Sequence, residues 1–156
     1  RDRSVSRGLG DVYKRQCEYF KDGYNCAQSV LLAFSDIIGF DKETSLKLSS
    51  SFGGGMGRLR EVCGAVSSMF MVAGLLKGYT TPNNDDIKGN HYSLVQDLGN
   101  EFKSECGSII CRDLLGLPEG ADTPAPSKRT EQYYNERPCE NCIKTAAEII
   151  ERRLLN

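Results

Sequence analysis

The stretch Gly53-Gly54-Gly55-Met56-Gly57-Arg58-Leu59-Arg60-Glu61-Val62-Cys63-Gly64-Ala65 joins a glycine loop to a run, Val62 to Leu76, that carries no charge. Glycines this dense cost backbone entropy, so a folded chain carries them where its backbone must bend sharply or come close to something. The run that follows predicts a helix from about Arg60 to Lys77, with Gly78 at its end. Its small residues are Gly64, Ala65, Ser67, Ser68, Ala73 and Gly74; its large ones are Val66, Phe70, Met71 and Leu75. A helix apolar on most sides belongs in the middle of a bundle, where small residues let its neighbours approach.

Upstream, Cys17 to Lys21 reads as the end of a short helix closed by Gly23. Asn25 is a good N-cap with Gln28 as its capping-box partner. Val30, Leu31, Phe34, Ile37 and Ile38 follow at helical spacing up to Gly39. Asp41 caps a further helix with Leu46 and Leu48 as core candidates. Downstream, Asn84 or Asp85 caps a long helix to about Cys106, whose apolar set is Ile87, Tyr92, Leu94, Val95, Leu98 and Phe102. His91 lies on a polar stretch of it and reads as a surface residue. Gly107 ends that helix, and Ser108 caps a short one, Ile109 to Leu115, closed by Gly116. Leu117 to Arg137 reads as a long surface loop, with Pro118, Pro124 and Pro126. Pro138 suits the first turn of the last helix, with Ala146, Ile149, Ile150 and Leu154 as its buried stripe. No stretch has the alternation of a strand. The expected fold is all-α, a single-domain bundle of about five or six helices with a long loop before the last one.

Residues 1–16 hold five basic and two acidic side chains and show no period. They resemble translated adapter sequence, so they are expected to be a non-native or disordered extension, and residues 17–156 the domain. The full chain has 156 residues, 39 % hydrophobic and 26 % charged, with a formal net charge of −1. That balance points away from nucleic acid and anionic membrane surfaces, and no apolar run is long enough to span a membrane. Seven cysteines are many for a chain without secretory features. Their odd number argues for metal, cluster or thiol chemistry in a cytoplasmic protein over a disulfide framework.

Four of them take similar places. Cys26 follows the cap Asn25, and Cys63 falls in the first turn of its helix. Cys111 lies three residues after Ser108, and Cys139 directly follows Pro138. At a helix start, free N–H groups and the dipole stabilise a thiolate, so each of these thiols is expected to have a lowered pKa.

These cysteines and their surroundings resemble the C_GCAxxG_C_C family, small helical bacterial and archaeal proteins regarded as redox-active. The matching stretches are Gly23-Tyr24-Asn25-Cys26-Ala27-Gln28, Phe52 to Gly57, Cys63-Gly64-Ala65-Val66, Gly107 to Gly116, and Cys139 with Ala146 to Ile150. The resemblance implies that Cys26, Cys63, Cys111 and Cys139 are the signature set. Here the order is Cys63-Gly64-Ala65 where the family name spells Gly-Cys-Ala. Ser68 stands where the motif ends in Gly, which bears on a close helix contact more than on the thiols. Cys17, Cys106 and Cys142 lie outside the pattern.

Two kinds of chemistry follow for a redox protein, with oxidoreductase activity left open. Four thiolates can hold an iron–sulfur cluster, or pairs can cycle between dithiol and disulfide. In either case Gly53, Gly54, Gly55, Gly57 and Gly64 would offer backbone N–H groups to sulfur or cofactor. The expected partner is a redox protein or a small thiol, and a homo-oligomer is compatible with the sequence. The alternative is a non-enzymatic metal-binding or metal-delivery protein, with a zinc site from Cys106, Cys111, Cys139 and Cys142. Cys139-x-x-Cys142 is followed by Ile143 and not by the His of a haem attachment site, and no βαβ pattern surrounds it. Gly53 to Gly57 lacks the Lys-Ser/Thr of a P-loop. Arg58, Arg60 and Glu61 could tune the charge of Cys63, and Arg112 and Asp113 that of Cys111, but all five read first as solvated side chains.

Overall fold

The computed structural model describes residues 15–155, and these fold as helices without a ladder of strands. Residues 15–21 form α1. The order continues α2 (Cys26–Ala33), α3 (Ser35–Ile38), α4 (Lys42–Ser50), α5 (Gly64–Lys77), α6 (Asp85–Cys106), α7 (Cys111–Leu115), α8 (Glu131–Glu136) and α9 (Cys139–Leu154). The all-α class stands; the described residues hold more helices than expected because the helix expected to reach Gly39 is split into α2 and α3, and α8 lies in the expected long loop. Of the expected extension, residues 1–14 lie outside the described residues. Arg15 and Gln16 lie in α1, and Gln16 is buried.

The helix α5 runs through the middle, packed against α2, α9 and α6. Its face Ala65, Val66, Met69, Val72 and Ala73 meets Leu31 and Phe34 from the α2 side. Leu98 and Phe102 of α6 and Ile143, Ala146, Ile149 and Ile150 of α9 complete the core. Each buried Ile or Leu removed from water contributes roughly 1.5–3 kcal/mol. The position Ser68 keeps the α2–α5 contact close without a glycine: it is buried, and its Oγ donates to the Ala27 carbonyl at 2.6 Å.

Local signals locate many ends. Asn25 accepts from the Gln28 N–H at 2.8 Å and the Gln28 side chain accepts from the Asn25 N–H, a complete capping box. Gly39, Gly107 and Gly116 close α3, α6 and α7 in the left-handed region.

Several expectations shift. The helix expected to run on to Gly39 breaks at Phe34, giving α2 and α3. In α4 the inward positions are Ser45 and Ser49, while Leu46 is half-buried and Leu48 is 44 % exposed. There the serine hydroxyl of Ser49 bonds back to the Ser45 carbonyl, which lets a polar residue face inward. The start of α5 lies at Gly64 with Cys63 as N-cap, not near Arg60. Arg60 has a φ of 61° and Val62 pairs with Ile110, so neither can be helical. For the same reason α7 starts at Cys111; Ser108 does not cap it, but donates to Asp113 and accepts from the Ile110 N–H. In α6, Ile87 and Tyr92 are exposed because the first half of the helix extends beyond its neighbours. His91 is half-buried, with its ring edge against Tyr79. The long loop before the last helix contains α8, capped by Thr130.

Candidate functional site

The segment Arg60 to Cys63 runs antiparallel to Ile109 to Arg112. Cys63 N–H donates to the Ile109 carbonyl at 2.8 Å, and Cys111 N–H to the Glu61 carbonyl at 2.6 Å. Val62 and Ile110 form the bridge between these bonds. The glycine loop is thereby fastened to the start of α7, with Glu61 N–H donating to the Gly55 carbonyl. This short pairing carries Cys63 and Cys111 to the same place. The capping box of α2 supplies Cys26 as the first residue of that helix, and Cys139 is the first residue of α9.

All four sulfur-bearing residues line one cavity of about 70 Å³. Four helix starts converge there, as the similar positions of the four cysteines in sequence suggested. Two glycines make the approach fit. A Cβ at Gly64 would lie 2.6 Å from the Cys26 Sγ, and one at Gly55 would overlap the Cys111 side chain, 3.1 Å from its Sγ. Gly54 lines the cavity, and its N–H acts to lower the Cys26 pKa. Gly53 and Gly57 line the cleft next to it.

The electrostatics reverse one expectation. The thiols are not poised by their helix starts; all four are shifted up. Burial, then repulsion from Cys63, pushes Cys26 up to about 12, against N–H bonds from Gly54 and Ala27. Burial, then repulsion from Cys26, does the same to Cys139, also to about 12. The Cys63 thiol donates to Cys142 and is buried, and both raise it despite N–H bonds from Val66 and Ala65. Burial raises Cys111 against the favourable Arg60 guanidinium. A helix start stabilises a thiolate by a few tenths to about 2 kcal/mol. Burial beside other ionisable sulfurs shifts the balance further the other way.

Arg60 is the main side chain that the sequence reading misplaced. It is not solvated but 3 % exposed, and its Nη1 lies 3.4 Å from the Cys111 Sγ. Its Nη2 pairs with Asp122 at 3.2 Å. Arg58 is tied down as well, to Asp122 at 3.0 Å, and Glu61 pairs with Arg112 at 2.6 Å. The signal available in sequence was proximity alone: Arg60 is three residues from Cys63. Arg129, Tyr133 and Arg137 also line the cavity, and nothing in the sequence of that loop connected them to it.

Cys142 was expected only in the zinc alternative. It lies one helical turn after Cys139 on the same face, is buried, and lines the cavity. Cys106 accepts a hydrogen bond from Cys142, and burial raises its pKa. Of the alternative zinc set, Cys111, Cys139 and Cys142 line the cavity and Cys106 sits behind it. Cys17 lies apart from them on α1, beside Glu140. All seven cysteines are free. No helix among the described residues is long and apolar enough to cross a membrane.

A small helical domain with five thiols on one cavity defines a cysteine-centred protein. Its sequence matches, over residues 24–153, the family described as "Putative redox-active protein (C_GCAxxG_C_C)", and the chain belongs to that family. No curated protein and no solved structure matches it.

Proposed function

We propose that this chain is a redox protein whose working group is built on Cys26, Cys63, Cys111 and Cys139. The observation that carries the reading is their convergence on one cavity from four separate helix starts. The chemistry it supports best is four thiolates holding an iron–sulfur cluster.

The residues fit such a group. Burial and mutual repulsion disfavour four free thiolates there, and bound iron cations would reverse that balance. Backbone N–H groups of Ala27 and Gly54 favour the thiolate of Cys26, those of Ala65 and Val66 favour that of Cys63, and Arg60 donates to Cys111. Such donors tune the potential of a sulfur-ligated centre. Among the described residues no three His, Cys, Asp or Glu side chains are set to hold a single metal ion. A cluster bound there would supply one-electron transfer to a redox partner, in a reducing compartment such as the cytoplasm. The chain's own part is to exclude water and to hold the sulfurs in place.

The test is anaerobic purification from iron-replete cells. A brown protein with iron and acid-labile sulfide is expected, with loss of both in Cys26→Ser and Cys139→Ser and retention in Cys17→Ser. Colourless, iron-free protein would sink the cluster. Zinc in its place would favour the metal-delivery reading.

A second reading rests on Cys63 and Cys142 being buried side by side on one cavity. Two thiols in contact can form a disulfide: a small-molecule disulfide accepts two electrons and two protons from the pair and leaves as two thiols. Free-thiol counts before and after mild oxidation test it; an unchanged count rejects it.

A further inference from the structure

We infer that the cleft beside the cysteine cavity is a binding site for a small anionic molecule bearing a carboxylate or phosphate group. As a substrate site it rests on the redox reading; as an anion site it stands on its own residues.

The cleft has a volume of about 250 Å³ and shares Asn25, Gly54, Arg60, Arg129, Tyr133 and Arg137 with the cysteine cavity. One therefore opens beside the other. Four guanidinium groups line the cleft: Arg58, Arg60, Arg129 and Arg137. The carboxylate that meets them is Asp122, paired with Arg58 and Arg60. The remaining acceptors around these arginines are neutral. Arg129 donates to the Phe20 and Tyr24 carbonyls, and Arg58 and Arg137 both donate to the Ser127 hydroxyl. Neutral acceptors hold the forks in position without cancelling their charge, so the cleft keeps a strong positive excess.

Arg60 supplies the second, independent sign. Its side chain is almost wholly buried, yet its Nε has no hydrogen-bond partner. A buried guanidinium N–H left unpaired is costly, so Arg60 is held inward by its two Nη groups, one on the Cys111 sulfur and one on Asp122, and the Asp122 side is the one an incoming anion can take over. Arg58 and Arg60 both hold a positive φ, at 66° and 61°, so the glycine loop presents them from an unfavourable backbone conformation. Such positions persist where the surrounding structure overrules local preference, and they concentrate at functional sites.

Guanidinium forks match planar and tetrahedral oxyanions, and several of them together select charge over shape. The cleft lies below the ~300 Å³ at which drug-sized sites begin, so it suits a small metabolite-like anion and not a peptide or a nucleic acid. The Arg60 guanidinium reaches Asp122 on one side and the Cys111 sulfur on the other. An anion held here would rest against the redox-active sulfurs, which is where a small electron donor or acceptor must sit.

The experiment is calorimetric titration of the full chain with inorganic phosphate and with malonate, at constant ionic strength set by chloride. Saturable binding of at least one of them is expected. Arg137→Gln should weaken it by about tenfold, the worth of one charge-assisted hydrogen bond. Asp122→Asn should tighten it at least threefold, because it removes the competing carboxylate; a merely structural role for the arginines would not give this sign. Should Arg137→Gln fail to fold, Asp122→Asn alone decides. No saturable binding by the wild type, or no tightening in Asp122→Asn, overturns the site. Iron, sulfide and thiol counts are read on the same samples. Anion binding by a protein that lacks both cluster and oxidisable thiols keeps the anion site and overturns the redox reading alone.

Discussion

Gly64 and Cys26 face each other across the α2–α5 contact, so closely that a methyl group on Gly64 would lie 2.6 Å from the Cys26 sulfur. The same methyl group would lie 2.7 Å from the Phe52 carbonyl oxygen, which is backbone and cannot swing aside. Gly64→Ala should therefore destabilise the fold by roughly 1–3 kcal/mol through overpacking, and displace Cys26 from the cavity. Gly74, on the same helix, has nothing within 4 Å of the corresponding position. Gly74→Ala should stabilise by about 0.5–1 kcal/mol by restricting the unfolded chain. Thermal melting of the two variants checks the pair; shifts of the same sign would refute the packing argument.

Ser68 holds α5 to α2 through its bond to the Ala27 carbonyl. Ser68→Ala should lose about 1 kcal/mol, the usual net worth of such a bond. Ser68→Gly should lose about 1 kcal/mol more, since glycine weakens a helix interior. Urea midpoints measure both. A glycine variant as stable as the alanine one would mean that the motif's glycine suits this helix after all.

The raised thiols make stability depend on alkaline pH. Below about pH 9 the thiols of Cys26 and Cys139 are protonated in both the folded and the unfolded chain, and their contribution is fully present. Above it the unfolded thiols ionise while the folded ones, at about 12, do not. Stability must then fall as the pH rises from about 9 towards 12, by up to about 4 kcal/mol per thiol. Metal-free, reduced protein unfolded by urea at pH 8 and pH 10.5 gives the comparison. Cys26→Ala should reduce the slope; equal midpoints at the two pH values would contradict the burial of these groups.

Arg129 clamps α1 to the loop before α8. Its guanidinium lies 4.5 Å from the Phe20 ring centroid and 5.2 Å from that of Tyr133, while donating to two carbonyls. Lysine has neither the flat stacking face nor the fork. Arg129→Lys should cost roughly 1–3 kcal/mol and speed proteolysis of the segment 117–130. Wild-type cleavage rates in that variant would show that the clamp does not hold the loop.

Much of the fold was legible locally. Asn25 with Gln28, Gly39, Gly107, Gly116 and Pro138 each act through their own backbone or a neighbour three residues away, so the sequence alone locates them. The same is true of the uncharged run in α5, whose place at the centre follows from its composition. The start of α5 was not legible, because the pairing of Val62 with Ile110 spans 48 residues and overrides helix propensity at Arg60 to Val62. Leu48 misled for a related reason: which face of α4 turns inward depends on its neighbours, and Ser45 and Ser49 are the residues that fit there.

The candidate site divides along the same line. That Cys26, Cys63, Cys111 and Cys139 stand at helix starts is written in short-range signals, and sequence alone determined it. Tertiary structure decided that those starts meet at one cavity, that Cys142 joins them, and that Arg60 is turned inward onto Cys111. It also decided the protonation of the thiols. A helix start acts within one turn and favours the thiolate, but burial beside other sulfurs is a property of the assembled core, and its effect is the larger.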